Sequence, residues 1–319
     1  MDRGLRPQRR FYVRGRKTNA LLLGKVIGGD EEWRTTRIPS ENLARAKVVL
    51  SLEAPRATLT MTITFAKPPL NEVVLGLSFL PRPDFLVPLF GKFWGEISDR
   101  YPKIAHAAPF VAPGVLPIQD PTGAWLPRVW FVSSDDCMVV QLQQDCIFMN
   151  WRQTEKNEEY PRFPFIRDEF YRVWELFRAF LELETGTPPL SVRAELTYVN
   201  SIPQGDRWQT VADFGGVLVD FRWKPEGRYL PSPRRFAGNF EFELADGTTL
   251  SAKIGIGTRL ADQKEMLRLE LAASRMLNDG VEMKDWIELA HDHVVRAFKD
   301  LTTTEMHRNP WQLEEEKNG

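Results

Sequence analysis

At 319 residues, 43% hydrophobic and 11% aromatic, the chain carries enough apolar surface for one sizeable core or two modest ones, which excludes an intrinsically disordered protein. Its longest apolar stretches, such as residues 73–80, fall far short of the roughly 20 residues that span a bilayer, so neither a transmembrane helix nor a membrane partner is expected. The formal net charge of −1 hides an asymmetry: residues 1–60 hold 13 Lys or Arg against 6 Asp or Glu, and the rest 29 against 37. Such an acidic body repels polyanions, which counts against nucleic acid as the main partner.

Residues 1–60 show no sustained periodicity. They read as a basic extension, poorly ordered or added upstream by a misplaced start codon, with Met61 as the true start; a basic tail used for binding is the other explanation. Leu21-Leu22-Leu23 is cut off by Gly24 and Lys25 and is too short for a signal-peptide core. Cys137 and Cys146 are the two cysteines, read as reduced and buried, and a cytoplasmic location follows.

Residues 71–79 form a β-rich run that Pro81-Arg82-Pro83-Asp84 ends. Leu86, Phe90, Phe93, Trp94, Ile97 and Tyr101 then recur at helical spacing. Residues 102–127 are rich in proline yet carry Phe110, Val111, Leu116 and Ile118. Such a segment is expected to cover one edge of a sheet or to dock a partner, with Phe110 and Leu116 as contacts. Three strands follow at residues 129–133, 138–143 and 146–151, and residues 163–184 form a long helix with one apolar stripe. Gly186-Thr187-Pro188-Pro189 stops it.

The second half repeats this order. A strand at residues 192–202 is followed by a helical turn near residues 208–214 and a strand at 217–223. Phe240, Phe242 and Leu244 alternate with Glu241 and Glu243, Asp246-Gly247 supplies a two-residue hairpin turn, and Leu250, Ala252, Ile254 and Ile256 return along the partner. Residues 266–272 add a strand and residues 282–301 a last helix, with Ile287, Ala290, His291, Val294 and Phe298 inward. The expectation is an α+β chain with an internal duplication: a basic extension at 1–60, one half at 61–185 and another at 190–319. The element order resembles a tandem TATA-binding-protein-like or helix-grip arrangement, a curved antiparallel sheet with helices on one face.

From Pro68 to the C-terminus the chain resembles a sporadically distributed family of uncharacterised bacterial and archaeal proteins. The resemblance is carried by Pro68-Pro69-Leu70-Asn71-Glu72-Val73, Tyr160-Pro161-Arg162, Leu289-Ala290-His291, residues 297–302 and Glu305-Met306-His307. It implies a start near Met61 and brings no catalytic residue.

Glu288 and His291 lie three apart on one helical face, a spacing that ligates a metal only with a second such pair, and none appears. His293 points about 200° around the helix from His291. His291 and His307 are therefore read as packing residues. No nucleophile elbow, dinucleotide fingerprint or phosphate loop is present, so no catalytic residue, metal or cofactor is assigned. Tyr229, Arg234 and Arg235 sit in an aromatic and basic segment that could hold an anion, or whose basic side-chain stems cover aromatic edges at a sheet rim. The leading expectation is a non-catalytic binding or adaptor protein for a protein partner or small ligand; the alternative is a hydrolase or metal-dependent enzyme with its site between the two halves.

Overall fold

The computed structural model describes residues 11–14, 21–24, 33–34, 61–110, 126–157, 159–224, 226–259, 262–277 and 281–317. The chain forms two compact units, Met1–Thr60 with Lys317–Gly319, and Met61–Glu316. In the first, strands β1 (Phe11–Arg14), β2 (Leu21–Gly24) and β3 (Trp33–Arg34) make a three-stranded antiparallel sheet. The rest of the stretch read as a poorly ordered extension lies outside the described residues.

The second unit begins with β4 (Met61–Phe65) and β5 (Leu70–Phe79). Helix α1 (Val87–Ile97) follows, then β6 (Lys103–Ala107), β7 (Arg128–Val132), β8 (Met138–Gln143) and β9 (Cys146–Arg152). Helix α2 (Phe163–Thr185) precedes β10 (Ser191–Pro203) and a 3-10 helix (Val211–Gly216). Strands β11 (Ala237–Glu243), β12 (Thr249–Thr258) and β13 (Glu265–Met276) lead to helices α3 (Met283–Leu301) and α4 (Thr304–Arg308), and β14 (Leu313–Lys317) pairs with β4.

Nine strands form one antiparallel sheet in the order β11-β12-β13-β10-β5-β9-β8-β7-β6. One register row crosses all nine: Ile104, Phe131, Val140, Met149, Leu75, Leu196, Ala273, Leu250 and Phe242. The next row along the strands is Ala105, Trp130, Gln141, Phe148, Gly76, Glu195, Ser274, Thr249 and Glu243. Successive residues of a strand point to opposite faces, so the first row lies on an apolar face and the second on a more polar one. The helices pack on the apolar face: Phe93 of α1 meets Phe131, Phe177 of α2 meets Phe79, and His291 of α3 meets Tyr198.

Local chemistry accounts for the helices. Ile166, Phe170, Val173, Phe177 and Leu181 are buried on one stripe of α2, and Gly186 ends it by donating its N–H to the Glu182 carbonyl. Trp286, Ile287, Ala290, Val294 and Phe298 do the same for α3.

Four expectations need correction. The proline-rich segment is not irregular throughout, because residues 103–107 pair with β7 and form the sheet's last strand. Residues 217–223 are not a strand: Val217 O accepts from Thr303 N and Val219 N donates to Leu301 O, so their ladder partner is the end of α3. The hairpin loop has three residues, Ala245, Asp246 and Gly247, closed by Leu244 N on Thr248 O; Gly247 at φ +86° takes the left-handed position that such a loop requires. Phe240 and Phe242 stay 45% and 39% exposed, because β11 ends the sheet and they lie against one another.

Candidate functional site

Tyr160-Pro161-Arg162 leads into α2, and the proline restricts Tyr160 to extended backbone. Arg162 takes φ +73° and ψ 153°, a region nearly confined to glycine. Its guanidinium explains how this is held: Nη1 donates to Phe65 O at 2.9 Å and Nη2 to Ala66 O at 3.1 Å, tying the start of α2 to the end of β4. Phe163 is the first residue of α2 and Pro164 the second, and no acidic residue or side-chain cap satisfies the helix start.

Between this corner, β4, β10 and α3 lies a cavity of about 280 Å³, near the lower end of small-molecule sites. Phe65, Leu70, Phe163, Val295 and Phe298 supply apolar wall. Tyr160, Tyr198, Asn200, His291 and Arg162 supply its polar groups. The hydroxyls of Tyr160 and Tyr198 are 3.4 Å apart, and Tyr198 Oη is 2.8 Å from His291 Nδ1. The imidazole lies flat on Phe163, with ring centres 4.0 Å apart.

Burial sets the protonation of this chain of groups. It pushes Tyr160 up to about 12 and Tyr198 well above the usual phenol range, so both hydroxyls keep their protons. It pulls His291 down to about 4, against the opposing charge of Asp292 and with a smaller push from Arg167 in the same direction. At neutral pH His291 is an uncharged ring able to donate from one nitrogen and accept at the other. Asn200, 3% exposed, donates Nδ2 to Leu269 O at 3.2 Å, and its Oδ1 accepts from no described residue.

Of the residues nominated by sequence, His291 reaches this cavity. Glu288 turns away from it and pairs with Arg167 at 2.7 Å. His293 Nε2 is 3.4 Å from Asp246, and buried His307 lies 2.8 Å from Thr302 Oγ1. Among the described residues no three His, Cys, Asp or Glu side chains are placed to hold a metal. Both cysteines are free; burial pushes Cys137 up to about 11, with the neighbouring Asp135 carboxylate adding to the effect.

Phe110 lies elsewhere, on the polar face of the sheet and 49% exposed. Its backbone is clamped by Gln143, whose Oε1 accepts from Phe110 N and whose Nε2 donates to Phe110 O. Its ring meets Phe148 and carries the Arg128 guanidinium at 3.6 Å. Leu116 lies outside the described residues. Tyr229 is 99% exposed, and Arg234 and Arg235 lie on the same exposed segment without a partner among the described residues.

Tyr160, Arg162, Tyr198 and Asn200 carry no periodic signal that marks them as neighbours. The available hint is that segments 68–73, 160–162, 289–291 and 297–302, scattered along the chain, each contribute to this one cavity. Comparison with known protein families and with curated proteins finds no match for this chain.

Proposed function

We propose that this is a binding protein for a small, largely apolar ligand, received in the cavity beside the Tyr160, Tyr198 and His291 hydrogen-bond chain. The observation that carries it is an apolar hollow of about 280 Å³ with a few fixed polar groups on its wall. A ligand adapted to such a wall buries hydrocarbon and places one hydrogen-bonding group near the tyrosines. Eight carbons buried at ~0.8 kcal/mol each give about 6 kcal/mol, a dissociation constant on the order of tens of micromolar.

Reading the chain as two halves fits this location. β5 and β10 lie side by side, and from each the chain runs through helical turns and outlying strands to a long helix. The cavity then draws α2 from one half and β10 and α3 from the other. The two free cysteines fit a reducing, cytoplasmic setting. A hydrolase working in this cavity would draw on His291 as its base, and burial makes that ring a weak base at neutral pH.

Calorimetric titration of the full chain with 1-octanol tests the reading. Saturable one-to-one binding is expected, and Val295→Trp, which fills the cavity, should abolish it with little change in melting temperature. No binding by the wild-type chain, or equal binding by the filled variant, overturns it.

A further inference from the structure

The residues around the cavity carry one formal charge, that of Arg162; no Asp, Glu or Lys lines it. His291 stays neutral there. The three arginines of α2 itself have carboxylate partners: Arg167 has Asp168 and Glu288, Arg172 has Glu169, and Arg178 has Glu175. Arg162 instead donates to the two backbone carbonyls of Phe65 and Ala66. These bonds fix the orientation of its planar head but bring no negative charge, and no carboxylate pairs with it among the described residues; the residue is exposed, so its remaining N–H groups meet solvent at the cavity's mouth. Five N–H groups belong to a guanidinium, so three remain.

The backbone at Arg162 is strained, and the same two guanidinium bonds hold it there. A non-glycine residue at φ +73°, ψ 153° is strained, and such strain persists where the surroundings demand that side chain in that place. Beside it α2 begins at Phe163 and Pro164, both lining the cavity, with no acid in its first turn. The partial positive charge of a helix start therefore faces the same region uncompensated.

Resting on the binding reading above, we infer that the ligand is an apolar monocarboxylate, its hydrocarbon in the cavity and its carboxylate on Arg162. A carboxylate presents two oxygens at the spacing of a guanidinium fork and brings one charge to one charge. A phosphate would bring nearly two negative charges to this single cation, and an alcohol would leave it unpaired.

The test compares octanoate, 1-octanol and octylammonium by calorimetry on the full chain at neutral pH. Octanoate is expected to bind several-fold tighter than octanol, and octylammonium more weakly than either, since the arginine is exposed. Arg162→Gly suits the backbone angles and removes the charge; it should bind octanoate no better than octanol, the ratio of the two affinities in the one variant being the readout. Arg162→Lys should retain part of the preference. Equal affinities for octanoate and octanol in the wild type, or a preference that survives in Arg162→Gly, overturn the carboxylate inference and leave the cavity reading standing. Failure of all three probes overturns both. Should Arg162→Gly not fold, the order of the probes on the wild type decides.

Discussion

Tyr198 Oη lies 2.8 Å from Nδ1 of His291, and the same imidazole stacks on Phe163 with ring planes 8° apart. One side chain thus joins the central strand β10, the last long helix and the start of α2. His291→Ala removes the bond and the stack together and should lower stability by about 2–4 kcal/mol, read as a shifted urea midpoint at unchanged slope. His293→Ala, which loses a long 3.4 Å contact to Asp246, should change stability by less than about 1 kcal/mol.

The same residue predicts a pH dependence. His291 titrates near 4 in the folded chain, against an ordinary value of 6.5. Between these values the unfolded chain binds the extra proton and the folded chain does not, so stability rises with pH. Its contribution should be complete above pH 6.5 and fall by up to about 3 kcal/mol as pH drops to 4. His291→Phe should flatten that portion of the profile; an unchanged difference from wild type across this window would contradict the assignment.

Glu169 is a buried carboxylate gripped from three sides. Its oxygens accept from the Tyr101 hydroxyl at 2.8 Å, from Arg100 at 3.1 and 2.9 Å, and from Arg172 at 3.0 and 2.7 Å. Although burial opposes it, Arg172, Tyr101 and Arg100 hold its pKa below the usual range. Its stabilisation is therefore present above that range and lost as pH falls through the lowered value. Glu169→Gln should cost about 2–4 kcal/mol by chemical denaturation, the outer guanidiniums being partly solvated.

Gly76 lies under the ring of Phe148, its neighbour across β5 and β9 in the register row. A Cβ there would sit 2.1 Å from two carbons of Phe148, the ring on which Phe110 rests. Gly76→Ala should cost about 1–3 kcal/mol. Combining it with Phe148→Leu should cost less than the sum of the single changes, giving a coupling of more than about 0.5 kcal/mol. Strict additivity would mean that the ring does not need the glycine.

Met61–Glu316 forms its own compact unit, so a chain starting at Met61 should keep one cooperative melting transition within about 5 °C of the full chain. Trp311→Ala in that shorter chain should cost about 3–5 kcal/mol, since Trp311 is buried against Phe65 and Phe298. Calorimetry of both proteins checks the pair.

Elements with a long, strong period were legible. The apolar stripe predicted α2 over 163–184 against an observed Phe163–Thr185, and α3 over 282–301 against Met283–Leu301. β6 was not, since Lys103-Ile104-Ala105-His106-Ala107 lies among prolines and earns its place by pairing with β7. Val217, Leu218 and Val219 have strand-like side chains, yet neighbouring backbone at Leu301 and Thr303 claims their hydrogen bonds. The cavity was the least legible feature: Phe65, Tyr198 and His291 belong to three different elements and Tyr160 to the segment before α2, and no spacing links them.

By itself the sequence determined the mixed α and β composition, the amphipathic helices, most strand positions and the acidic balance of residues 61–319. Periodicity, capping and turn chemistry act over fewer than about 25 residues and are written in adjacent positions. Only the tertiary structure decided that β10 lies beside β5, with Leu196 opposite Leu75, and that helices cover the apolar face alone. Pairing between strands more than a hundred residues apart follows from which apolar rows can be buried together. That same packing brings Arg162, without a carboxylate partner, to the wall of an apolar cavity.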